Sequence, residues 1–277
     1  MIAIVGLGVL GTRVLKLLSE YEEVYLIDYD IVEEKNIRRQ YPPAAVGMRK
    51  VDAARKFLRP NARILHKHLD WSTIGVLRDM ELVIDCTDNM LARYVINDYC
   101  AKFGIPWLHV AVSDAAGSVV AMNPGGPCYQ CVYPRGIGEA CTQLLDLQVA
   151  DKTAEHAIAE LVRLRAENQP RFVRITSATS SALTMKRRNG CLTCSGEFHY
   201  LQPQDYYITF CTSAGCMSAK PVKPQRHDSG VGEQTKVQGT AITVYPNGEI
   251  HFGSHLNDDA LREIAEHVYD TRFRRSR

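Results

Sequence analysis

A chain of 277 residues, 45% hydrophobic and 23% charged, has the balance of an ordinary globular protein and the length of one large domain plus an appendage. Its net charge of +2 gives no electrostatic case for a nucleic-acid partner, and no apolar stretch reaches the roughly 18 residues of a membrane span. Nine cysteines, with two pairs spaced CxxC and no export signal ahead of the first core-like strand, point to metal or thiol chemistry in the cytoplasm.

Ile2-Ala3-Ile4-Val5 is a short apolar run of the kind a buried parallel strand shows. It breaks into Gly6-Leu7-Gly8-Val9-Leu10-Gly11, and Val14, Leu15, Leu17 and Leu18 then follow at helical spacing. Strand, glycine turn and helix together make a nucleotide-binding βαβ unit. Gly6 permits the tight turn, Gly8 lets the backbone approach a phosphate, and Gly11 lets helix and strand pack closely. The helix N-terminus offers N–H groups to an anion. A second strand, Val24 to Ile27, ends in Asp28, placed to bond ribose hydroxyls. From Tyr29 to Gln40 the chain is a polar cluster holding Asp30, Asn36, Arg39 and Gln40. Arginine forks suit phosphate oxygens, although a solvated loop has the same composition. Lys50 opens a helix through Val51, Ala54, Phe57 and Leu58. A cation gains nothing from the dipole there, so an occupying polyphosphate is the better reason for it.

A third strand lies within Asn61–Leu69. The fourth, within Glu81–Asn89, is an apolar run with carboxylates just past its C-terminal end, where open α/β sheets bind ligands. Asp85 and Asp88 offer the oxygen ligands that Mg²⁺ takes, with Asp85 expected to be structural. Arg93 and Asn97 share one helix face. The fifth strand, Pro106 to Val112, carries His109, expected as a buried, hydrogen-bonded histidine, and Ser118 to Met122 continues the apolar pattern.

The segments GLGVLG, D-Y-D-x-V-x-x-x-N-I-x-R-Q, V-G-M-R-K and L-V-I-D-C-T-D-N-x-x-x-R-x-x-x-N-D, in this order and spacing, resemble the adenylation domain of the ubiquitin-activating enzyme superfamily, in its ThiF/MoeB/HesA branch. The resemblance implies ATP as the nucleotide. It implies that Gly6, Gly8 and Gly11 face the phosphates and that Asp28 holds the ribose beside Asp30. Asn36, Arg39, Gln40 and Lys50 would contact the triphosphate, and Asp88 would hold Mg²⁺ with Asn89 nearby. Arg39, Lys50 and Asp88 are the catalytic candidates it names. The implied reaction is attack of a carboxylate on the α-phosphate, which needs positioning and charge neutralisation more than a catalytic triad.

Cys128-Tyr129-Gln130-Cys131 and Cys191-Leu192-Thr193-Cys194 supply four thiolates for a tetrahedral structural Zn²⁺. The interval of residues 132–190 is long for a zinc ribbon, but the family has the same paired arrangement. A redox CxxC is the alternative, and neither pair is expected to open a helix after a strand.

Between the pairs the sequence departs from the family. Ala150 to Arg165 reads as an amphipathic helix with Asp151 as its N-cap, within an insertion near residues 139–170. Arg174 to Arg188 occupies the place of a family helix. Cys141 lies about where thiol-forming relatives carry a reactive cysteine, and reads either as a nucleophile for the activated acyl group or as an inert small residue. Longer relatives carry an N-terminal arginine that reaches the partner subunit's site; Arg13 is one substitute.

After Cys194 the composition shifts. Tyr206 to Phe210 reads as a strand and Pro221 to Gly239 as a polar loop, with Cys211 and Cys216 in a Gly/Ser loop. Ala241–Tyr245 and Glu249–Phe252 form a hairpin through Pro246-Asn247-Gly248, and Asp258–Tyr269 is a last helix. The expected architecture is α/β: a Rossmann-like doubly wound sheet with an ATP site at the strand C-terminal ends and a zinc staple, spanning residues 1–195. A small α+β appendage then spans 196–277.

The leading functional reading is adenylation of the Gly-Gly carboxylate of a ubiquitin-like or sulfur-carrier β-grasp protein by a homodimer. Alternatives are a small-molecule or peptide carboxylate, a nicotinamide-dependent oxidoreductase, and a non-catalytic scaffold.

Overall fold

A parallel strand covered on both faces has no use for alternation, and β1 (Ile2–Val5) buries all four of its residues. The computed structural model describes residues 1–37, 39–113, 116–134, 146–202, 206–211, 216–221, 233–244, 250–252, 263–265 and 267–268. The chain divides into two compact units, one comprising Met1–Pro134 with Thr142–Gln202, the other running on from Pro203.

In the first unit, β1 leads through α1 (Val9–Leu17) to β2 (Val24–Ile27), and α2 (Lys50–Phe57) leads to β3 (Arg63–Leu65). The chain then crosses back to β4 (Leu82–Asp85), followed by α3 (Met90–Phe103), β5 (Trp107–Ser113) and β6 (Ala116–Met122). After the one-turn helix α4 (Tyr129–Val132) come α5 (Leu147–Glu167), β7 (Arg171–Thr176), β8 (Ser180–Thr184) and the one-turn helix α6 (Leu192–Ser195). The strands form one sheet in the order β3-β2-β1-β4-β5-β6-β7-β8. Its first five strands are parallel and the last three antiparallel. The strand order reverses between β1 and β4, which run in register from Ile2 beside Leu82 to Val5 beside Asp85. That reversal opens a crevice at the C-terminal ends of β1 and β4. This is the doubly wound α/β fold expected.

Two local expectations change. The N-cap of α5 is Asp146, whose carboxylate accepts from the Gln148 and Val149 N–H groups, so Asp151 lies one turn inside the helix. Arg174 to Arg188 holds no helix among its described residues. Val173 and Ile175 are buried with exposed Arg174 between them, which is strand periodicity, and β7 pairs with β8 as an antiparallel hairpin. α5 packs across α1, β5, β6 and β7. Its Thr153 sits so close to Gly117 that a Cβ there would lie 1.8 Å from the hydroxyl oxygen.

The second unit is an antiparallel sheet ordered β11-β12-β13-β10-β9, from β9 (Tyr206–Cys211), β10 (Cys216–Pro221), β11 (Glu233–Val237), β12 (Thr240–Val244) and β13 (Ile250–Phe252). The stretch read as a loop from Pro221 to Gly239 thus contains β11. Cys211 and Cys216 are not loop residues; they are Cα partners at the ends of paired strands. Ile242, Val244, Ile250 and Phe252 are buried, as are Ile264, Ala265 and Val268 in the helical residues 263–265 and 267–268. The Pro246-Asn247-Gly248 turn and the ends of the last helix lie outside the described residues. Among the described residues no helix is long and apolar enough to cross a membrane.

Candidate nucleotide site and cysteine cluster

The three glycines after β1 divide the labour that their spacing predicts. Gly6 adopts φ +85°, and a Cβ on it would meet the Cys86 carbonyl oxygen at 2.8 Å. A Cβ on Gly11 would lie 1.9 Å from the Gly6 carbonyl oxygen, so the helix seats directly on the turn. Gly8 has nothing within 4 Å of its Cβ position and faces open space. It is the N-cap of α1 and makes no side-chain cap, leaving the first-turn N–H groups for a ligand.

That open space is a cavity of about 380 Å³ at the C-terminal ends of β1, β2, β4 and β5. Gly6, Gly8, Asp28, Asp30, Asn36, Gln40, Lys50, Asp88 and Asn89 all line it. Asp28 is buried, and its two oxygens accept from the Leu7 N–H at 2.6 Å and the Asp30 N–H at 2.7 Å. Burial raises its carboxyl above the ordinary carboxylate range, against the pull of the Lys50 charge. The Lys50 ammonium reaches the Asp30 carboxylate at 2.7 Å, so the cation at the start of α2 already has a protein partner. Asp88 makes no hydrogen bond or ion pair with any described residue, while its neighbour Asn89 caps α3 by accepting from the Ala92 N–H at 2.8 Å. Asn36 spends its carbonyl oxygen on the Glu33 N–H at 2.8 Å. The buried Oε1 of Gln40 has no partner among the described residues and belongs to the cavity wall.

Arg39 is the exception. Its side chain is exposed and does not line the cavity. Its carbonyl accepts from Arg13, which is thereby engaged within its own chain. Gly11 packs behind the wall, and Cys141 lies outside the described residues. Asp85 and His109 behave as expected: both are fully buried, and His109 Nδ1 lies 2.7 Å from the Asp85 carboxylate.

Several wall and brace residues carry no signal in the sequence. Tyr29 and His68 meet edge-to-face at 4.9 Å on the rim, beside Lys67. Burial, then the charges of Asp30, Asp88 and Asp28, push the Tyr29 phenol up to about 12. Burial lowers the His68 imidazole below its ordinary value. Tyr41 braces the glycine turn by donating its hydroxyl to the Leu7 carbonyl at 2.9 Å. No periodicity marks an aromatic that crosses between loops in this way.

The two CxxC pairs each open a one-turn helix, Cys128 as N-cap of α4 and Cys191 of α6, contrary to the sequence reading. They nonetheless face each other rather than standing as separate redox pairs. Cys128 and Cys191 Sγ are 3.4 Å apart, as are Cys131 and Cys194, and all four sulfurs lie within 4.8 Å of one another. A tetrahedron with about 2.3 Å zinc–sulfur bonds has edges of about 3.8 Å, so the spacing fits a four-cysteine metal site. The Arg188 N–H points at Cys131 Sγ from 3.4 Å, as a donor to a thiolate does. The hydrogen bond from Cys128 pulls the Cys131 thiol down and raises that of Cys128, while burial lifts that of Cys194.

A polar network ties this cluster to α3. Asn97 accepts from the Tyr129 N–H at 2.7 Å and donates to the Thr193 hydroxyl at 3.1 Å. Asp98 accepts from that hydroxyl at 2.6 Å and from the Tyr200 N–H at 2.9 Å. Both are fully buried. Helical spacing marks Asn97 only as sharing a face with Arg93. Arg93 lines the cavity one turn earlier and donates to the Thr87 carbonyl at 2.8 Å.

Residues 1–222 match the ThiF family. The adenylyltransferase and sulfurtransferase MOCS3 of Drosophila willistoni is 28% identical over 260 residues, covering 84% of this chain and 56% of that protein. The SAMP-activating enzyme E1 of Haloferax volcanii is 32% identical over 143 residues, 48% of this chain and 53% of that protein. The chain thus spans about half the length of these relatives. The structure of E. coli MccB with ATP shares the fold, with a TM-score of 0.60 at 18% identity over 70% of this chain and 66% of that one. The chain belongs to the ThiF family.

Proposed function

We propose that this ThiF-family chain adenylates a carboxylate with ATP, and that the carboxylate is the C-terminal Gly-Gly of a ubiquitin-like or sulfur-carrier β-grasp protein. The observation that carries the reading is the convergence, in one cavity, of an open-faced glycine turn, the Lys50 ammonium and an Asp88 carboxylate that has no partner among the described residues. A nicotinamide needs neither of those charges beside its phosphates; a triphosphate needs both. The relatives named for adenylyltransfer and for SAMP activation support the same choice.

In this reading the carboxylate oxygen attacks the α-phosphorus. The bond from that phosphorus to the bridging oxygen breaks, and pyrophosphate leaves with the oxygen and its electron pair, giving an acyl-adenylate. The glycine turn and the N–H groups of α1 cradle the phosphates. Asp28 and Asp30 hold the ribose end, and Asn36, Gln40 and Lys50 contact the triphosphate from the cavity wall, Lys50 offsetting the charge that gathers as pyrophosphate departs, while Arg39 would reach it by turning in from its exposed position. Asp88 would hold Mg²⁺, which supplies further charge neutralisation. Cys128, Cys131, Cys191 and Cys194 would hold Zn²⁺ as a closed structural staple, and Asn97 and Asp98 orient the two loops that carry them.

Residues 1–195 are the adenylating domain of this proposal, with the helical insertion near residues 139–170, and 196–277 its appendage. A homodimer is the assembly we assign. The free thiols of Cys86, Cys100 and the cluster fit the reducing cytoplasm.

Mass spectrometry of a β-grasp carrier incubated with this chain, ATP and Mg²⁺ tests the substrate. The carrier is expected to gain one adenylyl group, and the same carrier lacking its Gly-Gly is expected to gain none. Adenylation of a small acid or an unrelated peptide in place of the carrier would retain the chemistry and replace the partner.

A further inference from the structure

α5, the helix where the sequence departs from its family, reaches the nucleotide site through one arginine. Arg13 stands on α1 with its side chain 15% exposed. Its Nε is ion-paired to Asp151 of α5 at 2.5 Å. Its Nη1 donates to the Val9 carbonyl at 3.2 Å and to the Arg39 carbonyl at 3.1 Å. One guanidinium plane therefore joins three segments: the helix that continues the glycine turn, the loop that carries Arg39, and α5.

The loop has other anchors, among them the Asn36 carbonyl, which accepts from the Gln40 N–H at 3.1 Å and the Tyr41 N–H at 3.4 Å. Asn36 closes the turn below it, and the Tyr41 hydroxyl bonds the Leu7 carbonyl above it. Arg39 lies between these anchors, and the bond from Arg13 fixes its backbone. Asp151 in turn fixes Arg13. It offsets the arginine charge, so the guanidinium serves as a brace and not as a competing phosphate ligand. A lysine cannot replace it, because three acceptors in three segments need the planar fork. α5 itself is held on its other flanks: Lys152 bonds the Ser177 carbonyl in the β7–β8 turn, and Thr153 packs against Gly117.

We infer that Arg13, held by Asp151, is a positioning residue for adenylation: it sets the Arg39 backbone against the glycine turn, so that the seat of α5 governs the reach of Arg39 toward the triphosphate. This rests on the adenylation proposed above.

The test is a double-mutant cycle on ATP–pyrophosphate exchange with Arg13→Ala, Arg39→Ala and the pair, read as kcat and as KM for ATP. Arg13→Ala is expected to lower kcat by roughly 10- to 100-fold, the scale of a misplaced catalytic group. In the Arg39→Ala background the same change is expected to have no further effect, because there is nothing left to position. Arg13→Lys, which keeps the charge and most of the packing, is expected to recover only part of the loss. Hydrogen exchange of the nucleotide-free protein gives the independent readout, with faster exchange at residues 39–41 in both Arg13→Ala and Asp151→Asn.

An equal fall in kcat in both backgrounds would make Arg13 merely structural and overturn the inference. Wild-type kcat in Arg13→Ala, or unchanged exchange at residues 39–41, would overturn it as well. Absence of pyrophosphate exchange in the wild type would instead overturn the adenylation reading, and the hydrogen-exchange result would still decide whether the tether exists.

Discussion

Adding one methyl group at Gly11 or at Gly8, three residues apart in the same turn, should have opposite consequences. Gly11→Ala would place its Cβ 1.9 Å from the Gly6 carbonyl oxygen, where real contacts essentially never fall under 3.0 Å. The obstructing atom is backbone, and the Gly6 backbone is itself packed on Cys86, so the turn has no free direction of retreat. Overpacking of this kind costs about 1–3 kcal/mol or more, and alanine returns only about 1 kcal/mol in helix propensity. The clash with backbone places this substitution at the upper end of that range, a net loss of up to about 2 kcal/mol, visible as a lower urea midpoint. Gly8 has φ −74° and ψ −155°, open to any residue, with nothing within 4 Å. Gly8→Ala should change stability by less than about 1 kcal/mol, the scale of an N-cap change. Its methyl enters the cavity floor where a phosphate must approach the backbone, so ATP binding should weaken about 10-fold or more, about 1.4 kcal/mol. Urea unfolding and equilibrium titration with ATP and Mg²⁺ on both variants measure this. A Gly11→Ala protein that unfolds at the wild-type midpoint, or a Gly8→Ala protein that binds ATP as tightly as wild type, would refute the assignment of the two glycines.

Asp98→Ala strands the buried Thr193 hydroxyl and Tyr200 N–H and should cost about 3 kcal/mol, with faster loss of metal to a chelator; a wild-type urea midpoint would count against the network. Elemental analysis should find one zinc per chain in the wild type and less in Cys194→Ser, and a metal-free chain with the wild-type unfolding midpoint would remove the staple. The His68 imidazole is lowered below 6.5 in the folded chain, chiefly by burial, so the unfolded chain binds the extra proton. Its contribution to stability is complete above pH 6.5 and is lost as the pH falls through the folded value. His68→Gln should flatten that part of the stability–pH curve, and an unchanged slope would show that another group titrates there.

The glycine turn was legible because each glycine answers a local backbone demand that spacing alone encodes. Asp85 as a structural residue and His109 as a buried, hydrogen-bonded one were each legible from the apolar run it stands in, while their pairing shows only in the register of β4 and β5. The hairpin at β7 and β8 was hidden by the resemblance, which placed a helix there, while the alternation of Phe172 to Thr176 was visible in the residues themselves. The α5 cap slipped because Asp146 and Asp151 are equally plausible in a sequence, and only the Gln148 and Val149 N–H groups decide between them. Asn97, Asp98, Tyr41 and Arg13 act across 26 to 138 residues of chain, joining segments that no period connects. Such roles belong to the fold and not to the local pattern. For Arg39 the sequence identified the residue, and the structure shows its backbone held while its side chain stays exposed.

ATP–pyrophosphate exchange, with Mg²⁺ and a β-grasp carrier ending in Gly-Gly, tests the central claim most directly, because it reads the reversible formation of an acyl-adenylate and nothing later. Exchange is expected to require the intact Gly-Gly terminus and to fall by about 100-fold or more in Asp88→Ala, through loss of the carboxylate that would hold the charge-neutralising Mg²⁺ at the reacting phosphate. Exchange undiminished in Asp88→Ala, or a chain that neither binds ATP nor exchanges pyrophosphate with any carboxylate, would contradict that claim.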